Sequence, residues 1–90
     1  MRFRFDEEKS RSVKQKHGLS LAEAREIFEQ AYVVDQKNDN PEQFRAIGWC
    51  RGRLCSVIFE MRTDADGEYC HLISAWKSTV QEERIYAENT

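Results

Sequence analysis

Three runs of apolar and β-branched residues in the second half of the chain restrict its fold more than any other feature. The runs cover residues 44–49, 54–62 and 69–75, and the gaps between them, CRGR and TDADGE, each contain a glycine. Glycine adopts the positive φ that tight reversals need, so each gap favours a hairpin turn. The pattern therefore predicts an antiparallel meander of three strands.

The N-terminus predicts a short strand followed by a helix. Residues 2–5 alternate arginine and phenylalanine, which is typical of a strand with both phenylalanines directed inward. Asp6 can cap the next segment, which contains no glycine or proline until Gly18. Because a helix end favours a residue that adopts positive φ, we expect the first helix to end at His17.

A second helix is predicted directly after this joint. Ser20 and Glu23 have the spacing of a capping box, in which each side chain satisfies the backbone N–H group of the other residue. Apolar residues then recur at three- and four-residue steps, which indicates a helix face directed at the core. This stripe consists of Leu21, Ala24, Ile27, Phe28 and Ala31. We expect the two helices to form a helical hairpin.

The remaining segments complete an α+β pattern. Residues 32–35 predict a brief strand, and residues 36–43, which contain the single proline, predict a polar loop. Thr79 and Glu82 repeat the capping-box spacing and predict a short C-terminal helix. A chain of this length supports one core, so we expect a single domain over residues 1–90 with the order β-α-α-β-β-β-β-α.

Charge is unevenly distributed along the chain. The formal net charge is −2, which gives no overall attraction for a polyanion. Residues 1–18, however, contain six lysines and arginines and only three acidic residues. With Lys9, Lys14 and Lys16 on the first helix, this basic end is either an anion-binding surface or an ordinary solvated helix face.

The sequence predicts no metal site and no cofactor site. Cys50, Cys55 and Cys70 are an odd number of cysteines and fit reduced thiols packed as small apolar groups. Cys70 and His71 are neighbours on one predicted strand, so their side chains point to opposite faces and cannot easily share an ion. The absence of an apolar stretch of about 18 residues and of a secretory signal favours the cytoplasm.

Three segments carry specific motifs. Residues 5–30 contain Lys-His-Gly between the helices, residues 44–62 contain Gly-x-Leu and a strand-end arginine, and residues 71–86 contain Ile-Ser-Ala followed by Glu and Tyr. Together they resemble the BrnT family of type II toxins. The resemblance implies a RelE-like fold with a twisted antiparallel sheet, an N-terminal helical hairpin and a short C-terminal helix. It also implies a metal-independent endoribonuclease that inhibits translation and pairs with a BrnA-like antitoxin in a hetero-oligomer.

Metal-independent RNA cleavage needs three kinds of group. A base takes the 2′-OH proton, an acid protonates the leaving 5′ oxygen, and cations stabilise the phosphate. The candidates on this resemblance are Glu82 or Glu83 as base, His17 or Tyr86 as acid, Arg62, Lys77 and Arg45 as cations, and Lys9, Lys14, Lys16 and Arg45 as RNA-binding residues. Lys77 is expected opposite Arg62 on the neighbouring strand, so that both could contact one phosphate.

Each candidate also has a structural explanation. His17 at a helix C-terminus complements the helix dipole, and Glu82 belongs to a capping box. Tyr86 can pack with its hydroxyl group at the surface, and Arg62 can be a solvated cation at a strand end. The sequence leaves these alternatives open.

One position departs from the family pattern. The family usually has arginine directly after Ile-Ser-Ala, where this chain has Trp76 followed by Lys77. Trp76 is either a stacking platform for unpaired bases or an anchor in a protein interface. Two functions therefore remain open: an active endoribonuclease toxin, or a weakly active or inactive homologue that serves as a protein-binding partner of a BrnA-like antitoxin.

Overall fold

A computed structural model describes all 90 residues as α-helices, one 3₁₀ helix and a five-stranded sheet. The elements in chain order are β1 (Phe3–Arg4), α1 (Glu7–His17), α2 (Leu21–Ala24), a 3₁₀ helix (Arg25–Glu29), β2 (Tyr32–Asp39), β3 (Glu42–Cys50), β4 (Arg53–Asp64), β5 (Gly67–Lys77) and α3 (Val80–Glu88). This content confirms the predicted mixed α+β class. None of the helices has the length and apolar character that crossing a membrane requires.

Both ends of α1 lie where the sequence predicts them. The Asp6 side chain accepts a hydrogen bond from the backbone N–H of Lys9 at 2.9 Å, which caps the helix. At the other end Gly18 has φ of 74°, and its N–H donates to the carbonyl oxygen of Lys14. A left-handed residue at this position ends the helix at little steric cost only because it is glycine.

The predicted second helix begins at its capping box but is short. Ser20 and Glu23 satisfy each other's backbone N–H groups, so α2 has the predicted start. The α-helical geometry ends at Ala24, and the chain continues as a 3₁₀ helix. Ile27 in this 3₁₀ helix is fully buried, as its stripe predicts, whereas Ala31 lies beyond it and is exposed.

The sheet has the strand order β1-β5-β4-β3-β2. The predicted three-strand meander is confirmed as β3, β4 and β5, which pair antiparallel. The prediction of an entirely antiparallel sheet is wrong, because β1 pairs parallel with β5 through Phe3 opposite Cys70 and Arg4 opposite His71. An alternating pattern of side chains specifies a strand and its buried face but not its direction.

The predicted polar loop after β2 is wrong over most of its length. β2 extends to Asp39, β3 begins at Glu42, and only residues 40–41 form the turn. β2 is an edge strand whose side chains are largely exposed, so polar residues are compatible with it. The strand is held by main-chain hydrogen bonds to β3, which do not depend on apolar side chains.

The hydrophobic core lies between the sheet and the N-terminal helices. We call the sheet surface that carries Val57, Phe59 and Leu72 the core face, because these residues belong to one buried cluster with residues of α1, α2 and the 3₁₀ helix. Phe3 and Phe5 pack against the same cluster, as predicted. On the opposite surface, the outer face, α3 packs at the end that carries Arg45, Trp49 and Trp76, whereas Arg62 at the other end is 44% exposed.

The three cysteines belong to this core. Cys50, Cys55 and Cys70 are buried free thiols, as predicted. Burial raises the pKa of Cys50 and of Cys70 to about 12, so that both remain protonated at neutral pH. No group of three or more His, Cys, Asp or Glu side chains in the structure lies close enough together to hold a metal ion.

Candidate functional site

An open cleft of about 690 Å³ lies between the first turns of α1 and residues of β3, β4 and β5. We call it the α1 cleft. Its ionisable lining residues are Asp6, Glu8, Lys9, Glu60, Arg62 and His71. Glu60, Arg62 and His71 point away from the core because side chains alternate along β4 and β5, and their neighbours Phe59 and Cys70 are directed to the core. Leu72 and Ile73 of β5 also line the cleft.

Glu60 is held in one position by two neighbours on the outer face. Its Oε2 atom accepts a hydrogen bond from Gln43 on β3 at 2.8 Å, and its Oε1 atom accepts from Arg62 Nε and Nη2 at 2.9 and 2.7 Å. The hydrogen bond from Gln43 and those from Arg62 lower the pKa of Glu60. The Arg62 side chain nevertheless stays 44% exposed, so its remaining N–H groups are accessible from the cleft.

His71 lies directly opposite Glu60 in the pairing of β4 with β5. Partial burial lowers the pKa of His71 below its usual 6.5, and the positive charge of Arg62 lowers it further. Glu60 and Asp6 act in the opposite direction without cancelling the shift. The imidazole is therefore mostly neutral at pH 7 and can accept a proton there.

Two further arginines lie beside the cleft, around the ring of Tyr69. The guanidinium carbons of Arg2 and Arg4 lie 5.5 and 4.6 Å from the centre of this ring. Both side chains also bind Asp64, with N–O distances of 2.9 and 2.6 Å. The open end of the outer face thus presents an aromatic ring among fixed guanidinium groups, an arrangement that suits bases and phosphates.

The other end of the outer face carries a second cluster, which we call the α3 junction: Arg45, Trp76, Glu82 and Tyr86. Its centre is the carboxylate of Glu82, a residue that is only 4% exposed. This carboxylate accepts hydrogen bonds from the Trp76 indole at 3.0 Å and from the Thr79 backbone at 2.8 Å, and it forms an ion pair with Arg45 at 3.2 Å.

These contacts leave neither Glu82 nor Arg45 free. Burial alone would raise the pKa of Glu82, but the donors on Thr79 and Trp76 and the charge of Arg45 outweigh it and lower the pKa. Arg45 also forms an ion pair with Asp35 on β2. Glu82 is therefore an ionised, fully engaged anchor for α3 and has a low affinity for a proton.

Tyr86 in the α3 junction and Lys77 beside it differ in accessibility. Tyr86 is half-buried, donates its hydroxyl proton to the carbonyl oxygen of Ala31 at 3.1 Å, and packs edge-on against Trp49. Lys77 is exposed at the end of β5. Because Lys77 follows Trp76 directly and pairs with the core residue Cys55, its side chain leaves the sheet on the face opposite to Trp76, beside the α3 junction.

The candidates on and after α1 lie on different parts of the helix. Lys9 lines the α1 cleft. Lys14 forms an ion pair with Glu23 at 2.9 Å, and Lys16 and His17 are exposed in the last turn of α1. Of these four predicted residues, only Lys9 belongs to the cleft.

The expectation that Lys77 lies opposite Arg62 is wrong. In the β4–β5 hairpin Arg62 pairs with Tyr69, and Lys77 pairs with Cys55. Arg62 and Cys55 are seven positions apart along β4, which corresponds to about 23 Å of strand. In a hairpin, residues near the turn pair with each other, and residues far from it pair with each other. Arg62 is near the turn and Lys77 is far from it, so one phosphate cannot contact both.

Sequence reasoning did not assign Glu60 and His71 to the site. In the sequence His71 stands out only as a possible metal ligand, and no motif marks Glu60. Strand alternation and hairpin pairing could have placed Glu60 and His71 side by side. Both residues point away from the core, and each is close to the same turn.

The sequence from residue 5 to residue 82 matches the family model described as ribonuclease toxin, BrnT, of type II toxin-antitoxin systems. A search of curated proteins finds no match to the chain. The match extends from Phe5, directly after β1, to the first turn of α3, and so includes the α1 cleft and most of the α3 junction. The chain belongs to the BrnT family of type II ribonuclease toxins.

Proposed function

We propose that the protein is an endoribonuclease toxin that cleaves RNA at the α1 cleft without a metal ion and thereby inhibits translation in the cytoplasm. We also propose that its elements are arranged as in RelE-like toxins, with α1 and α2 as a helical hairpin. The observation that carries the proposal is the convergence of Arg62 on β4 and Lys9 on α1 in one cleft. Family membership supports ribonuclease activity.

Two cations beside an open cleft can support RNA cleavage because RNA itself supplies part of the chemistry. RNA carries its own nucleophile, the 2′-OH group, next to the phosphorus atom that it attacks. In the transition state negative charge grows on the non-bridging oxygens, and fixed cations stabilise it more than the ground state. Arg62 is fixed by Glu60 and remains 44% exposed, which fits this role.

The outer face offers a path for a longer strand of RNA. From His71 to Lys77 along β5 the distance is about 20 Å. We propose that the scissile phosphate binds in the α1 cleft and that the exposed Lys77 contacts a phosphate further along the RNA, where the RNA passes the end of β5. Tyr69, with Arg2 and Arg4 over its ring, is positioned to stack with a base on the other side.

The engaged residues of the α3 junction have a supporting role in this proposal. Arg45 and Glu82 hold α3 against β3, and Tyr86 ties the same helix to the chain before β2. We assign His17, which is exposed at the end of α1, to stabilisation of that helix through its dipole. Lys14, which is paired with Glu23, and Lys16 lie outside the cleft. In this proposal both contribute less to RNA binding than Lys9 does.

A BrnA-like antitoxin is the proposed partner, in a toxin–antitoxin hetero-oligomer. Membership of a type II family implies an antitoxin. The apolar side chains around α3 are a candidate surface for it, since Val80 is 65% exposed and Trp49 is 41% exposed. Co-expression with the product of the neighbouring gene should give a stable complex, and separate elution of the two proteins at micromolar concentration would contradict this assignment.

The nuclease proposal is tested by RNA cleavage with matched arginine variants. Purified protein should cleave single-stranded or ribosome-bound RNA in the presence of EDTA. Arg62→Ala should lower the rate about 10²–10³-fold, the usual loss for one preorganised donor to a developing oxyanion, with a nearly unchanged melting temperature. Arg53→Ala, at the other end of β4, is the control and should retain the rate. If the wild-type protein cleaves neither RNA, the nuclease proposal fails.

A second candidate function has its own support. The α1 cleft contains two cations and three carboxylates, so it does not attract a polyanion by charge alone. In addition, the Trp76 indole is bound to Glu82 where the family usually has an arginine. A weakly active or inactive homologue that binds a BrnA-like antitoxin fits these two observations. Complex formation without cleavage or growth arrest by the free protein would select it.

A further inference from the structure

We propose that His71 is the group that takes the proton from the RNA 2′-OH in the α1 cleft, and that Glu60 positions it. This inference rests on the proposed nuclease function and adds a residue and a role to it. His71 is one of two histidines in the chain and the only one that lines the cleft. It shares this cleft with both cations that we assign to the phosphate.

The position of His71 is fixed by a row of residues across four strands. Gln43 on β3 binds Glu60 on β4, Glu60 pairs with His71 on β5, and His71 pairs with Arg4 on β1. Directly opposite residues on antiparallel strands have Cβ atoms about 4.5–5.5 Å apart. Because hydrogen bonds from Gln43 and Arg62 hold the Glu60 carboxylate, its negative charge stays beside the imidazole and can stabilise the imidazolium that proton transfer creates.

The electrostatic surroundings of His71 combine both signs of charge. The ionisable groups that face it are Arg4 on β1, Asp6, Glu8 and Lys9 at the start of α1, Glu60 and Arg62 on β4, and Tyr69 on β5. Burial and Arg62 lower the pKa of His71, and Glu60 and Asp6 raise it by less. The imidazole is therefore available as a base at neutral pH while a carboxylate stays near enough to stabilise its charged form.

The step that follows from this geometry is a transesterification. The imidazole accepts the 2′-OH proton as the 2′ oxygen forms a bond to phosphorus, and the bond from phosphorus to the 5′ oxygen breaks. The leaving 5′ oxygen takes a proton from water, and the imidazolium returns its proton to the resulting hydroxide. The products are a 2′,3′-cyclic phosphate and a 5′-hydroxyl group, and Arg62 and Lys9 stabilise the charge on the phosphate oxygens between these states.

The chain contains its own control for this proposal. His17 is exposed at the end of α1 and is absent from the lining of the cleft. His71→Gln and His17→Gln therefore make the same chemical change at a cleft position and at a position outside it. The resemblance to the family implies an acid role for His17, so this pair of variants also shows which of the two histidines contributes to cleavage.

Cleavage rates of single-stranded RNA are measured between pH 5 and pH 8 with EDTA present. His71→Gln should lose about 10²–10⁴-fold in rate, the usual contribution of a general base. In the wild-type protein the rate should fall as the pH drops through the pKa of His71, and this acidic limb should disappear in His71→Gln. His17→Gln should retain both the rate and the limb. A His71→Gln variant with the wild-type rate and the same limb overturns the inference and leaves the nuclease proposal intact.

Imidazole NMR signals supply a second measurement that does not depend on turnover. A 2′-deoxy oligonucleotide, which cannot be cleaved, should shift the signal of His71 and not that of His17. Glu60→Gln should lower the measured pKa of His71, since the carboxylate raises it. An unmoved His71 signal in the presence of bound oligonucleotide overturns the inference. Absence of all cleavage by the wild-type protein overturns the nuclease proposal and this inference with it.

Discussion

Arg45 and Glu82 form an ion pair that joins β3 to α3, although 37 residues separate them in the sequence. The distance from Arg45 Nη1 to Glu82 Oε2 is 3.2 Å. The same carboxylate accepts the capping hydrogen bond from Thr79 and the hydrogen bond from the Trp76 indole. One side chain therefore starts α3, attaches it to the sheet and orients Trp76.

Glu82→Ala should lower the free energy of unfolding by about 2–3 kcal/mol, because a helix cap is lost and buried donors on Arg45 and Trp76 lose their acceptor. Glu83→Ala removes an exposed carboxylate from the same turn and should change the stability by less than about 0.5 kcal/mol. Urea denaturation of both variants checks the difference. Equal stability of the two variants would show that the Glu82 contacts do not hold α3.

The stabilisation by Glu82 should depend on pH in one direction. Its pKa in the folded protein is lower than 4.5, so its contribution is complete above the unfolded pKa of 4.5 and is lost as the pH falls through the folded value. The difference in melting temperature between the wild-type protein and Glu82→Gln should therefore be large at pH 7 and shrink below pH 4.5. A difference that stays constant down to pH 3 would contradict this titration.

Local chemistry explains which parts of the fold the sequence predicts. Gly18, Ser20 and Thr79 act within a few residues of their own positions, and the helix boundaries that depend on them are confirmed. The polar strand β2 and the parallel pairing of β1 depend on contacts with distant segments, which the side-chain pattern does not encode.

In the candidate site, too, the sequence shows the local chemistry but not the contacts between distant segments. The cationic character of Arg62 and Lys9 is visible in the sequence, but their meeting in one cleft requires α1 to pack beside β5. The pairing of Glu60 with His71 depends on the position of the turn between β4 and β5. A shift of one residue in this register would direct the strand's side chains to the other face of the sheet.

Lys9→Gln should weaken the salt dependence of RNA binding more than Lys16→Gln does. Lys9 lines the α1 cleft, whereas Lys16 is exposed in the last turn of α1. Loss of one phosphate contact to single-stranded RNA should reduce the slope of log K against log salt concentration by about 0.7. Binding isotherms at several salt concentrations measure this slope. Equal slopes for Lys9→Gln and the wild-type protein would remove Lys9 from the RNA site.

Trp76→Arg should raise RNA cleavage and keep the fold. The Trp76 indole donates one N–H to Glu82 at 3.0 Å, and an arginine at this position offers five N–H donors in a planar fork. Some of these donors can keep the hydrogen bond to Glu82 while others remain free for a phosphate. The added positive charge lies on the outer face near the end of β5, on the proposed path of the RNA.

Trp76→Gln separates charge from hydrogen bonding in this experiment, because glutamine can donate to Glu82 without adding a cation. We expect cleavage by Trp76→Arg to exceed that of the wild-type protein, and Trp76→Gln to show no such gain. Melting temperatures of both variants check that α3 remains docked. If Trp76→Arg folds normally and cleaves no faster than Trp76→Gln, a cation at this position does not contribute to catalysis, and the RNA path does not reach the α3 junction.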